Sequence, residues 1–378
     1  MKNPAATMPR PTIRGFGPGA IITICALGLT AFGLVVLSSA GQGTDHGGLY
    51  FFKKQLIWFA LALVVGVSAA MVNLNLVRRY TWVLAGLAVL LLVAVLFGPK
   101  VMGARRWLNL GFMSAQPSDA GKLALVFCLA HYLAGNQRQI QTFWRGFVLP
   151  MGIVGVFAGL IFREPDFGTA ALCGMVGCAL VYLAGVRLFY LFPSMLAGGL
   201  LFSVAVYLDP LRLKRIVSFL DIEKYRNDGA YQLWQGMLGF GVGGWNGVGL
   251  GEGRQQLFYL TEAHNDFVFA VVGEEMGLLA TASVALTFLT IFIVSCRALR
   301  RAPNLYEFTV ATGALLMLIG QALINMGVVT GLLPTKGMSL PFISYGGSNL
   351  LLMYALIGVL VNCFRRWERP VLPRPSEL

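Results

Sequence analysis

Ten runs of roughly twenty apolar residues, separated by short polar segments, leave this chain one environment in which to fold. A helix crosses the hydrocarbon core of a bilayer with about 20 apolar residues. The runs fall at 19–40, 55–74, 80–98, 119–135, 144–162, 167–186, 188–208, 266–296, 307–330 and 344–364. Charged residues make up 12% of the chain. A soluble domain carries about 25%, so there are too few here to cover a water-facing surface. The expectation is an all-α integral membrane protein: a bundle of ten transmembrane helices with a large extracytoplasmic loop, 209–265, between helices seven and eight. Asp119, Lys122 and His131 interrupt the fourth run. The eighth is too long for a simple crossing, so its first turns should project beyond the bilayer or lie at its surface. The first run is too long and lacks a small-residue cleavage site, so no cleaved leader is expected.

Ten crossings put both termini on one side. That side carries 15 basic and 3 acidic residues, the other 14 basic and 13 acidic, mostly in the long loop. Short basic loops stay cytoplasmic. The chain therefore reads as a multi-pass protein of the cytoplasmic membrane with both termini inside. Its parts are a tail at 1–15, a membrane domain at 16–367 and a tail at 368–378. The net charge of +13 is a topology signal. No basic stretch interleaved with aromatics lies in a soluble segment, so no nucleic-acid partner is expected. The six cysteines sit in or at the ends of apolar runs and read as small hydrophobes.

Charge in or beside hydrocarbon is costly, so each such residue is a functional candidate. Glu262-Ala-His264-Asn-Asp266 opens the eighth run. Asp266 is either an N-cap or a general base whose pKa is raised by partial desolvation. Glu274, about two turns deeper, shares its face and reads as a support. Asp119 and Lys122 are spaced i, i+3 and can pair; alternatively Lys122 faces a cavity and binds an anion. Arg105-Arg106-Trp107 is an interfacial anchor or a phosphate clamp. Glu164-Pro-Asp166-Phe-Gly-Thr169 is a capped turn or a pair of carboxylates for a hard divalent cation. The segment from Leu333 to Asn349 holds two prolines, three glycines and Lys336. It cannot be lipid-exposed helix and should line a cavity or sit on protein. Eight of the fifteen residues 239–253 are glycine. Gly239, Gly241 and Gly244 fit G-x-G-x-x-G, but without a strand–turn–helix unit the match is weak. A tight loop at the membrane surface, or backbone approaching a bulky headgroup, suits the position better.

These motifs together closely resemble the FtsW/RodA/SpoVE (SEDS) family of peptidoglycan glycosyltransferases over Phe16 to Trp367. The resemblance rests on Gly103-Ala-Arg-Arg-Trp-Leu-Asn-Leu-Gly, Gln116-Pro-Ser, Pro165-Asp-Phe-Gly-Thr-Ala, Tyr231-Gln, Gly247-Val-Gly-Leu-Gly, Glu262-Ala-His-Asn-Asp-Phe, Gly273-Glu-Glu, and Pro334-Thr-Lys-Gly-Met-Ser-Leu-Pro-Phe-Ile-Ser-Tyr-Gly-Gly-Ser. Leu257-Phe-Tyr and Pro334-Thr-Lys-Gly are most like the FtsW cell-division branch. The resemblance implies an inverting polymerisation of lipid II on the outer face of the inner membrane, with undecaprenyl pyrophosphate leaving. It makes Asp266 the general base on the acceptor GlcNAc hydroxyl. Substrate and pyrophosphate ligands would be Lys122, Arg106, Arg105, Lys336, His264 and Ser344. Asp119, Glu262 and Glu274 would be supporting acids. Asp166 would ligate a divalent cation, Mg²⁺ or Mn²⁺. Implied partners are lipid II, the growing lipid-linked glycan, a class B penicillin-binding transpeptidase and divisome proteins. The family usually has Glu where this chain has Asp119, and Gln where it has Glu164. A lipid II flippase, or a scaffold for a transpeptidase, are the competing readings.

Overall fold

The computed structural model describes residues 16–41, 47–99, 105–109, 114–255, 260 and 264–368. Ten α-helices coincide with the ten apolar runs. They are α1 (Pro18–Ala40), α2 (Gly48–Met71), α4 (Thr81–Leu96), α5 (Pro117–Gly135), α6 (Leu149–Arg163), α7 (Phe167–Leu183), α8 (Leu188–Tyr207), α11 (Val268–Leu299), α12 (Leu305–Val329) and α13 (Gly347–Trp367). Three more, α3 (Leu74–Arg79), α9 (Pro210–Leu220) and α10 (Tyr231–Gly243), lie between them. Seven of the described helices are long and apolar enough to cross a membrane; α4 and α7 are shorter apolar helices.

Local chemistry sets the boundaries. Pro stands in the first turn of α1, α5, α6 and α9, where its missing N–H has no helical partner anyway. Asn73, Asp166, Asp209 and Asn304 accept backbone N–H bonds as N-caps of α3, α7, α9 and α12. The centre of the bundle is α12 and α13, 67% and 72% buried along their apolar windows, while α8 at 11% is peripheral. α2 packs on α13, α5 on α12 and α4, and α1 on α11.

The surplus length of the eighth run forms a separate piece of helix. α11 is broken at Gly277, whose φ of 71° and ψ of −168° are non-helical. Residues 278–299 at about 1.5 Å per residue measure roughly 33 Å, enough to span the core alone. The preceding piece, with Glu274 and Glu275, is buried in protein. The break is filled by the glycine-rich stretch. Leu278 N donates to Gly244 O (2.9 Å), Val248 N to Glu274 O (3.0 Å) and Gly249 N to Glu275 O (3.0 Å). Gly239 and Gly241 are inside α10. The glycines thus let backbone approach backbone. A side chain at Gly277 would stand within 2.5 Å of Gly247 N and Trp245 O.

Candidate functional site

The segment 330–346 runs between the starts of α5, α7 and α11 and joins their polar groups. Lys336 Nζ lies 3.0 Å from Asp166 Oδ1, with both side chains largely buried. Thr169 donates to Asp166 through N (3.3 Å) and Oγ1 (2.8 Å), and Gln116 Nε2 donates to Oδ2 (3.3 Å). Burial alone would raise the Asp166 pKa. Lys336 and Arg106, helped by the Lys336 and Thr169 hydrogen bonds, outweigh it and hold the group below its ordinary value. Asp166 therefore stays charged and anchors Lys336.

The adjacent residue, Gly337, lies against Asp266: a Cβ there would stand 2.4 Å from Asp266 Oδ2. Asn325 Nδ2 fastens both strands of this contact, donating to Asp266 O (2.8 Å) and Met338 O (2.5 Å). The N-cap position of α11 is Phe267, which makes no side-chain cap bond, and Asp266 stands one residue before it. His264 O accepts from Tyr345 N (3.0 Å), and its ring packs 4.4 Å from that of Phe51. Ser344 Oγ accepts from Leu340 N (2.7 Å) and so closes the turn.

The start of α5 forms the third side. Lys122 Nζ meets Asp119 Oδ1 at 2.8 Å, the pair expected from i, i+3 spacing, and both are buried. Ser348 donates to Asp119 (2.7 Å), and Lys122 also donates to Gln321 (3.2 Å). Gln321 Nε2 reaches Ser339 O (2.9 Å) and Asn349 (2.7 Å). Gln116 links this network to Asp166, since its N–H donates to Ser348 Oγ at 3.2 Å.

Several expectations change in detail. Arg106 clamps backbone: Nε donates to Glu164 O (3.1 Å) and Nη2 to Pro165 O (2.5 Å). Arg105 is exposed and donates to Leu96 O (2.6 Å). Glu274 accepts from the backbone N–H groups of Arg254 (2.9 Å) and Gln255 (3.2 Å), so it supports the backbone at 254–255. Glu262 lies outside the described residues. The Asp166 carboxylate is filled by an ammonium and three hydrogen-bond donors, which leaves no lone-pair direction for a cation. Glu164 points elsewhere: it is fully buried, and neither of its carboxylate oxygens has a hydrogen-bond partner. Burial, then the neighbouring Asp166 charge, pushes its pKa up to about 8 against the pull of Arg106. No group of three His, Cys, Asp or Glu side chains among the described residues is arranged to hold a metal ion.

Two site residues were not singled out from sequence: Gln321 and Asn325. Both are nearly fully buried amides in the apolar α12. Their i, i+4 spacing on one face, where an unsatisfied amide is expensive, was the available signal.

The family model for FtsW, RodA and SpoVE, described as cell cycle protein, matches residues 20–368. A probable peptidoglycan glycosyltransferase FtsW of Coxiella burnetii is 41% identical over 356 residues, covering 91% of this chain and 95% of the relative. The protein of the same name from Marinobacter nauticus is 36% identical over 361 residues, covering 93% and 90%. Among solved structures, a chain of a peptidoglycan synthase complex that coordinates polymerization and crosslinking superposes with a TM-score of 0.79. It is 25% identical and covers 92% of this chain and 98% of its own. Rod shape determining protein RodA of Thermus thermophilus superposes with a TM-score of 0.70 at 24% identity, covering 92% and 97%.

Proposed function

The chain belongs to the FtsW/RodA/SpoVE family, and from that premise we infer that it is a peptidoglycan glycosyltransferase serving septal wall synthesis. Its relatives carry the activity by name over nearly the whole length. The observation that carries the mechanism is the dipeptide Lys336-Gly337, which has Asp166 on one residue and Asp266 against the next. It sets a carboxylate able to take a proton beside an ammonium able to meet a phosphate.

The substrate proposed is lipid II with a growing lipid-linked glycan. A sugar hydroxyl is a weak nucleophile, so the acceptor GlcNAc C4 hydroxyl gives its proton to Asp266 as its oxygen attacks C1 of the lipid-linked MurNAc. The bond from C1 to the pyrophosphate oxygen breaks, the anomeric centre inverts, and undecaprenyl pyrophosphate leaves with the electron pair. Lys336, held by Asp166, neutralises that charge. Asp119 offsets Lys122, and Arg106 holds the turn that carries Asp166; both act by position. Mg²⁺ or Mn²⁺ would supply additional countercharge to pyrophosphate, but the Asp166 donor set does not fit it and no step here needs it.

All ten helices that match the apolar runs are proposed to span the inner membrane, with both termini cytoplasmic and 209–265, including α9 and α10, outside. A class B penicillin-binding transpeptidase is the proposed partner, in keeping with the synthase complex whose chain has this fold. The break in α11 favours one second reading, since discontinuous helices build the substrate sites of transporters. Here the freed backbone groups and both glutamates are bonded to the 244–255 segment, which supports a structural break. Purified protein with its transpeptidase partner and labelled lipid II decides between them. Wild type should form glycan and Asp266→Asn should not. Equal activity of the two, or lipid transfer across liposomes without polymerisation, overturns the assignment.

A further inference from the structure

A shallow, open groove of about 570 Å³ lies between α4 and α6. Val93 and Val156 form its walls. Its floor is Gly155 and Gly159, and a Cβ on either would meet nothing within 4 Å. The slot is therefore open where two side chains of α6 would otherwise stand, on a surface that faces hydrocarbon.

One end is different. Leu96 and Arg163 close it, and the Leu96 carbonyl is the acceptor for Arg105 (2.6 Å). Arg105 and Arg163 are both exposed, and Arg163 makes no hydrogen bond or ion pair with the described residues. Two guanidiniums at the mouth of an apolar slot fit a ligand with a hydrocarbon chain and an anionic phosphate head, because the planar fork matches phosphate oxygens. The same end leads into the site. Arg163 is followed by Glu164, Pro165 and Asp166, and the carbonyls of Glu164 and Pro165 are held by Arg106, the neighbour of Arg105. A head group on Arg163 thus sits three residues from the carboxylate that anchors Lys336.

We propose that the α4–α6 groove seats the chain of a polyprenyl pyrophosphate lipid, with its phosphates on Arg163 and Arg105. The proposal rests on the glycosyltransferase reading and extends it by giving the lipid-linked substrate a path to Lys336. An ordinary bilayer phospholipid, or a helix of another membrane protein, are the competing occupants.

The test is photolabelling of the full chain in phosphatidylethanolamine nanodiscs with a diazirine-bearing polyprenyl pyrophosphate, with adducts mapped by mass spectrometry. Labelling is expected on α4 and α6 around Val93 and Val156. Excess polyprenyl pyrophosphate should suppress it, and excess phosphatidylglycerol should not. Gly159→Leu, which fills empty space and needs no repacking, should lower labelling at least fivefold. Arg163→Ala should do the same, and Arg163→Lys should restore part of it. Equal competition by phosphatidylglycerol, adducts elsewhere, or no adducts because another helix covers the groove would each overturn the proposal. Lipid II polymerisation by the wild type, measured beside the labelling, separates the two readings. Labelling lost while wild type polymerises sinks the groove alone. Labelling intact in a wild type that does not polymerise sinks the enzyme reading.

Discussion

Gly337→Ala is the sharpest probe of how the site is held. The backbone at Gly337 is in an ordinary region, so alanine is conformationally allowed. Its new methyl would stand 2.4 Å from Asp266 Oδ2, whereas ordinary contact begins at 3.4 Å. The carboxylate must therefore move by about 1 Å. A displacement of that size at a reacting group costs about 100-fold in rate, or about 2.7 kcal/mol of barrier. Folding should be nearly indifferent, because the atom that gives way is the end of a side chain and alanine also restricts the unfolded chain by about 0.4–1 kcal/mol. The assay is the initial rate of labelled lipid II polymerisation at varied substrate, beside thermal unfolding in detergent. The kcat should fall about 100-fold with KM and Tm little changed. Gly174→Ala, whose Cβ meets nothing within 4 Å, should behave as wild type. A Gly337→Ala protein that is folded and within threefold of wild-type kcat would refute the role given to Asp266 geometry.

Two further outcomes follow from the buried charges. Lys336→Met leaves Asp166 buried without its cation and should destabilise by about 3 kcal/mol, while Lys336→Met with Asp166→Asn should recover most of that; additive losses in detergent unfolding would show the pair is not coupled. Glu164 has a folded pKa of about 8 against an ordinary 4.5, so the folded state binds the extra proton in between. Wild type therefore loses stability as pH rises from about 4.5 to about 8, and Glu164→Gln should remove that slope; parallel pH profiles of the two proteins would contradict the burial of a neutral acid.

The membrane helices were legible because hydrocarbon admits few solutions, and an apolar run of the right length leaves the backbone little choice. The Asp119–Lys122 pair was legible for a local reason, since one helical turn brings the two together. What was hidden depends on contacts between distant segments. Nothing near Arg106 announces that its partners are the carbonyls at 164 and 165, and nothing in the glycine run names the broken helix it repairs. Lys336 was visible as an isolated cation, but its partner, Asp166, is 170 residues away in sequence. Gln321 and Asn325 were within reach of the cost argument applied to charges, had it been extended to amides. Asp266 was correctly placed at a helix start, yet spacing alone could not say which residue occupies the cap position of that helix. That needed the dihedral angles that make Phe267 the cap.

The break at Gly277 divides α11 mechanically as well as geometrically. The part after the break is long enough to be a membrane strut, and α11 as a whole packs on α1 and α12. The upper part, headed by Asp266, is tied to residues 244–255 through Val248, Gly249, Gly251, Arg254 and Gln255. Since the peptide groups released at the break are already bonded across to that segment, tilting the upper part against the strut sacrifices no continuous helical ladder. Asp266 is thus held from two directions, by the loop through the upper part of α11 and by Asn325 of α12 at its own carbonyl, so a load applied to the loop reaches the carboxylate with the bundle as its counterweight.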